Sequence, residues 1–217
     1  MERYFVLDKF NTFYDWRLIL TAKSVPDPEI KTHYVQLDGM SGSLDFTEAL
    51  AGEVTYEDRT ITATFWTDYG NRKDREKLLR DIRLALHGKK IKIVEPDDPE
   101  HYFYGRVSVK SFNNTLAYAE LTIEAICDPW RYAVEETERY IEVTSDVTNV
   151  IIYNNGAKTL SPIVEVNGSV NITCNGSSVP LTNGTFKVST LKLKQGVNVI
   201  GVSGSGSVTF TYREADI

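Results

Sequence analysis

Leu78, Leu79, Ile82, Ala85 and Leu86 fall three and four residues apart, a period that places them on one side of a helix. Arg72, Lys73, Arg75, Glu76, Arg80, Asp81 and Arg83 fill the opposite side. Asn71 can cap the first turn through its side-chain oxygen, and Asp74 puts negative charge near the positive end of the helix dipole. Gly88 supplies a left-handed stop. The pattern predicts a single helix over about 72–87. Elsewhere the period falls to two. Val54–Trp66 alternates, cleanly so from Thr60 on, and Lys90–Val94, Tyr102–Lys110 and Ala117–Cys127 read likewise. These are expected to form a sheet with one wet face and one face covered by the helix stripe. Tyr4–Phe10, Trp16–Ala22 and Lys31–Leu37 read as earlier strands, and Leu44–Phe46 as a short extended piece. The acidic, proline-bearing run Glu95–Glu100 predicts a loop and Phe112–Thr115 a turn.

Past residue 136 the pattern changes to short strands at about 140–144, 149–153, 163–166, 169–174, 184–187, 190–193, 197–202 and 208–212. Asn-Gly pairs at 155–156, 167–168, 175–176 and 183–184 predict tight turns between them, and Gly201–Gly206 predicts a flexible hairpin. Even spacing of this kind predicts an antiparallel sandwich. Composition supports a division at the same point. Residues 1–135 hold 19 of the 24 aromatics, whereas the shorter 136–217 holds 8 of the 14 glycines. The expected fold class is therefore mainly β: a β-rich α+β domain with one helix over 1–135, then an antiparallel β-sandwich over 136–217.

The net charge of −6 argues against a nucleic-acid-binding footprint on the single chain. Nothing approaches the run of ~20 apolar residues needed to cross a bilayer, and Met1-Glu2-Arg3-Tyr4 lacks a signal-peptide layout, so the expectation is a cytoplasmic chain without membrane insertion. Cys127 and Cys174 have no CxxC partner and read as two buried, reduced thiols.

Catalytic chemistry finds little support. His33, His87 and His101 are scattered, with no HExxH pattern and no GxSxG elbow to go with them. Asp45 with Glu48, and Asp97 with Asp98, read as solvated acids rather than a catalytic pair. The Asn-x-Ser/Thr sites at Asn113, Asn167, Asn171, Asn175 and Asn183 read as turn and strand chemistry. Tyr102, Phe103, Tyr104, Trp130 and Tyr132 read as core and cross-strand aromatics before a sugar platform. No catalytic, cofactor or metal-binding residue is expected.

Asp38-Gly39, Ser43-Leu44-Asp45, Gly52 and Tyr56–Ile61, followed by a charged helix ending at Gly88 and by Cys127-Asp128-Pro129-Trp130, occur in an order that resembles the distal tail proteins of long-tailed, non-contractile bacteriophages. Leu193–Ile200, a Gly-Ser stretch and Thr209–Arg213 resemble the end of that family's second domain. The resemblance implies a homo-hexameric ring at the virion tail tip, assembled in the bacterial host cytoplasm. Such a ring joins the tail tube protein to the tail-tip hub protein, with the tape-measure protein as a further candidate neighbour. It also implies a lumen through which DNA passes without specific binding, and a galectin- or carbohydrate-binding-module-like second domain. That domain carries no large insertion here, which favours a scaffold role; the alternative is a carbohydrate-binding module acting in host cell-surface adsorption. Ser24–Lys31, with Pro26, Asp27 and Pro28, and Ser41–Gly52, with Gly42, Leu44, Phe46 and Gly52, are the candidate inter-subunit segments, being proline- or glycine-marked and weakly periodic.

Overall fold

The computed structural model describes residues 4–174 and 176–217; Met1–Arg3 and Asn175, one half of an expected Asn-Gly turn, lie outside the described residues. The chain divides into two units, the first reaching to Arg131 and including Ile217, the second spanning Tyr132–Asp216.

In the first unit the strands are β1 (Val6–Leu7), β2 (Phe10–Asn11), β3 (Ile19–Ser24), β4 (Tyr34–Val35), β5 (Leu44–Asp45) and β6 (Arg59–Thr67). The helix α1 (Arg72–Leu86) follows, then β7 (Lys90–Glu95), β8 (Asp98–Asn114) and β9 (Ala119–Ala133). The main sheet runs β2-β1-β7-β8-β9-β6-β3. Its pairs are antiparallel; Ile61 faces Ala125 and Phe65 faces Leu121 across β6 and β9. Every second residue of β6 points inward, so Ile61, Ala63 and Phe65 are buried while Thr60 stays wet. Leu79, Ile82 and Leu86 of α1 join these side chains in one core with Phe103, Val107 and Leu121. Burying each such side chain fully is worth roughly 1.5–3 kcal/mol.

The helix ends as its sequence requires. Asn71 accepts from the backbone of Lys73 and Asp74, and Asp74 answers with a bond to the Asn71 backbone, a complete capping box. One polar residue departs from expectation. Arg75, assigned by pattern to the solvent side, is 1% exposed. It shares a stripe with Leu79, Ile82 and Leu86, and its guanidinium is fully engaged. Nε donates to Asn114 Oδ1 at 2.9 Å, Nη1 to Gly70 O at 3.0 Å, and Nη2 to Thr115 O at 2.9 Å and Leu116 O at 3.1 Å. The start of α1 is thus tied to the β8–β9 turn.

Two expected boundaries shift. The Glu95–Glu100 loop is a tight turn at Pro96-Asp97, with Glu95 paired to Asp98. The Phe112–Thr115 turn moves to Thr115–Tyr118, where Thr115 N–H donates to Tyr118 O, so β8 runs on to Asn114.

The second unit holds β10 (Thr137–Val143), β11 (Thr148–Asn154), β12 (Ile163–Cys174), β13 (Ser177–Lys187), β14 (Gly196–Tyr212) and the short β15 (Ala215–Asp216). The first five form one antiparallel sheet in which β14 pairs with β12 on one edge and with both β10 and β11 on the other. The predicted breaks at Asn167-Gly168 and Asn183-Gly184 and the predicted hairpin at Gly201–Gly206 are not chain reversals. Each lies inside a continuous strand. Gly168 faces Gly206 across β12 and β14, and Val166 faces Gly184 on β13. The register slips between Val166 and Ser169, a bulge, and Gly168, Gly184, Gly204 and Gly206 all hold positive φ. A Cβ on Gly206 would lie 2.0 Å from Asn167 O, and one on Gly168 2.2 Å from Ser205 O. The glycines form a crease across the three strands. The sheet folds over it, so that Ile200 and Val202 on one side and Val208 and Phe210 on the other enter the same core. The expected strand at 190–193 reduces to a single bridge from Leu193 to Leu160.

Candidate interaction surfaces

Between β3 and β6 the chain leaves the main sheet and returns to it. Among the described residues β4 and β5 pair only with each other, Tyr34 opposite Asp45 and Val35 opposite Leu44. Phe46 N–H donates to His33 O at 2.8 Å and Gly52 N–H to Glu48 O at 2.8 Å, closing a turn beyond β5. The arm is rooted in the sheet by several contacts. Ile30 bridges to Tyr56, Tyr56 packs edge-on against Trp130 at 5.5 Å, and Pro28 is buried. The buried Arg59 guanidinium lies 5.2 Å from the Phe103 ring and donates to Pro129 O and, at 3.4 Å, to Pro26 O. Burial pushes this guanidinium below its ordinary pKa, partly offset by Asp27.

Beyond the root no residue from Glu29 to Glu53 is buried. Ile30, Tyr34, Leu37, Met40, Leu44, Phe46 and Leu50 are all exposed, Leu50 completely. A groove of about 660 Å³ runs along the arm, walled by Ile30, Tyr34, Thr47 and Val54. Scattered exposed leucines are ordinary on a monomer, but this many on one segment without a core make it a candidate contact surface. The structure therefore places the candidate residues in two settings: Pro26, Asp27 and Pro28 at the root, and Gly42, Leu44, Phe46 and Gly52 on the arm itself. Gly42 and Gly52 hold positive φ at its turns.

A second concavity, of about 460 Å³, lies between residues 14–17 and α1, with Tyr14, Trp16, Tyr69, Lys77 and Leu78 in its wall. Nothing in the sequence pattern singles it out. Arg17, in the same wall, holds a left-handed φ of 54°.

The other expected sites separate into structural roles. His33 sits on the arm, His87 caps α1 and accepts from Val109 N–H through Nδ1, and His101 meets Asp98 at 2.8 Å. Asp97 pairs with Lys23 at 2.9 Å and Asp98 with Arg131 at 3.2 Å. Asp45 accepts from Thr47, whose hydroxyl and N–H hold the carboxylate below its usual range. Among the described residues no three His, Cys, Asp or Glu side chains converge as a metal site, and no helix is long and apolar enough to cross a membrane. The aromatic set does not form an open platform. Tyr102 and Phe103 are buried, Lys90 covers Tyr104, and Trp130 is engaged with Tyr56. In the second unit Phe210 and Tyr212 are core, leaving Tyr140 and Tyr153 exposed.

Cys127 is buried, and Gly105 lies so close that a Cβ there would be 2.4 Å from its Sγ. Burial pushes this thiol up to about 12. Cys174 is only partly buried, which corrects the expectation of two inert core thiols. In the native chain at pH 8, iodoacetamide should label Cys174 while Cys127 stays unmodified until denaturant is added; peptide mass mapping reads the difference. Because the folded pKa lies above the unfolded one, Cys127 stabilises the fold below about pH 8.5, and that contribution is lost as pH rises toward 12.

No protein-family model matches the sequence, and no curated protein matches it. Solved structures do. The Dit protein of phage SPP1, described as a paradigm of the hub adsorption apparatus in phages infecting Gram-positive bacteria, superposes with a TM-score of 0.71. The match covers 97% of this chain and 98% of that one at 15% identity. This chain has the Dit fold. A chain of the phage P2 baseplate in its activated conformation aligns at a TM-score of 0.44 and 7% identity over 98% of this chain and 97% of that one. The likeness to Dit extends through both units, so the mainly β architecture and the resemblance to distal tail proteins hold at the level of fold.

Proposed function

We propose that the protein is a structural component of a phage or prophage tail tip, a ring-forming adaptor between the tail tube and the tail-tip hub. The observation that carries this reading is the arm. Seven large apolar side chains lie exposed on a segment in which no residue from Glu29 to Glu53 is buried. Copies of the chain cover one another's arms, and six such copies close a ring. The Dit fold supports the same reading. The ring leaves a lumen for DNA, and the net negative charge of the chain suits passage of a polyanion without adhesion. No catalysis belongs to this role; of the acids that sequence could pair, Asp45, Asp97 and Asp98 are occupied in holding Thr47, Lys23 and Arg131.

The full chain carrying Phe46→Ser and Leu50→Ser tests the reading. Both residues are solvent-exposed, so thermal stability should stay within about 0.5 kcal/mol of the parent. Light scattering should show the parent as an oligomer and the variant as a monomer. An unchanged oligomer would remove the arm from the interface and the reading with it.

A further inference from the structure

The arm and the helix carry opposite charge. Between Glu29 and Asp58 the chain holds Glu29, Asp38, Asp45, Glu48, Glu53, Glu57 and Asp58 against Lys31 alone, a net of −6. Between Arg72 and Lys89 the basic residues outnumber Asp74, Glu76 and Asp81, a net of +4. One of those cations, Arg75, is buried, and the rest are exposed. Lys73, Lys77, Arg80 and Leu84 recur at helical spacing along one exposed stripe of α1, and Leu84 is 78% exposed. An apolar side chain flanked by cations on the helix thus mirrors apolar side chains flanked by carboxylates on the arm. The 460 Å³ groove, with Tyr14, Trp16, Tyr69 and Leu78, opens beside the same part of α1.

We propose that the arm of one copy docks on the α1 face of the next copy. Leu50 enters the groove, and Glu48 and Glu53 face Lys77 and Arg80. The groove also holds Asp15, Asp74 and Asp81, so its cations are Lys77 and Arg17, and the wider complementarity comes from the exposed face of α1. Arm and helix are different surfaces. A contact between them is head-to-tail, and repetition of such a contact closes a ring or extends a filament and does not stop at a two-fold dimer. This inference rests on the arm being the self-association element, and it adds the surface that receives it.

Charge reversal separates the two claims. Glu48→Lys with Glu53→Lys turns the charges beside Leu50 basic on a chain whose helix stripe is also basic. Lys77→Glu with Arg80→Glu turns the receiving pair on α1 acidic on a chain whose Glu48 and Glu53 are also acidic. Each chain alone should associate about tenfold or more weakly than the parent, read by sedimentation equilibrium at low salt. Mixed in equal amounts, they should recover parental association, because each reversed pair beside Leu50 then meets the reversed pair on α1, and each parental pair its parental counterpart. Native mass spectrometry of the mixture should show equal numbers of both chains in every oligomer. If the arm variant fails to assemble while the helix variant assembles like the parent, the receiving surface lies elsewhere and this inference falls while the arm reading stands. If both variants assemble like the parent, arm and helix are both excluded. A parent chain that stays monomeric at high concentration and low salt overturns the docking, and assembly that appears only with a different tail protein assigns the arm to that partner.

Discussion

Replacing Arg75 with Met should destabilise the first unit by about 3 kcal/mol or more. The side chain is buried at 1% exposure, and among the described residues it makes no ion pair with a carboxylate. Its charge is held by four neutral oxygens, from Asn114, Gly70, Thr115 and Leu116. Met fills much the same space and removes the charge, but it leaves those acceptors facing apolar surroundings. Asn114 is affected twice, since its amide also donates to Arg72 O at 3.0 Å and to Glu76 Oε1 at 2.9 Å. Lys at position 75 should recover less than half the loss, because a point charge cannot reproduce the planar fork that reaches three directions at once. Tryptophan fluorescence in urea measures this directly: Trp16, Trp66 and Trp130 all precede the boundary at Arg131. An Arg75→Met midpoint equal to the parent's would show the guanidinium network to be energetically neutral.

The second large effect is expected at the crease. Gly206→Ala should destabilise the second unit by about 2–4 kcal/mol, because an added Cβ meets the Asn167 carbonyl at 2.0 Å and the residue holds φ at 131°. The obstructing atom is backbone, and it belongs to a strand pinned by its own ladder, so neither side can give way. Gly176→Ala is the control. It too has positive φ, 78°, but nothing lies within 4 Å of its Cβ position, and its cost should stay near ~1 kcal/mol. Calorimetry separates the two variants. Equal losses would mean that backbone conformation alone, and not the approach of β12 to β14, sets the requirement for glycine.

These two positions also mark where the sequence could and could not be read. Period and capping residues place α1 within a residue of its observed ends, because a helix stripe and its stop signals are local. Arg75 departs from the pattern for a chemical reason. It falls in phase with Leu79, Ile82 and Leu86, which was the available signal, but a guanidinium in that phase is buried only when distant carbonyls converge on it, and those come from the β8–β9 turn. The alternation in β6 and β9 gave their inner faces correctly. In the second unit glycine reads as an interruption. The same residue serves a tight turn or a strand pressed against another backbone, and only the register of β12 against β13 and β14 distinguishes them. The arm was legible as weakly periodic chain carrying proline and glycine. Its separation from the main sheet of the first unit is not, since nothing local in Leu44 or Phe46 says whether a core lies beneath them.

Electron microscopy of the assembled full chain tests the central claim most directly. The account predicts closed rings with an open centre, in which each copy's residues 29–58 lie against the neighbouring copy and six copies of 24.5 kDa make up the particle. Particles in which the arms project free into solvent, with copies joined through some other surface or not joined at all, would contradict it.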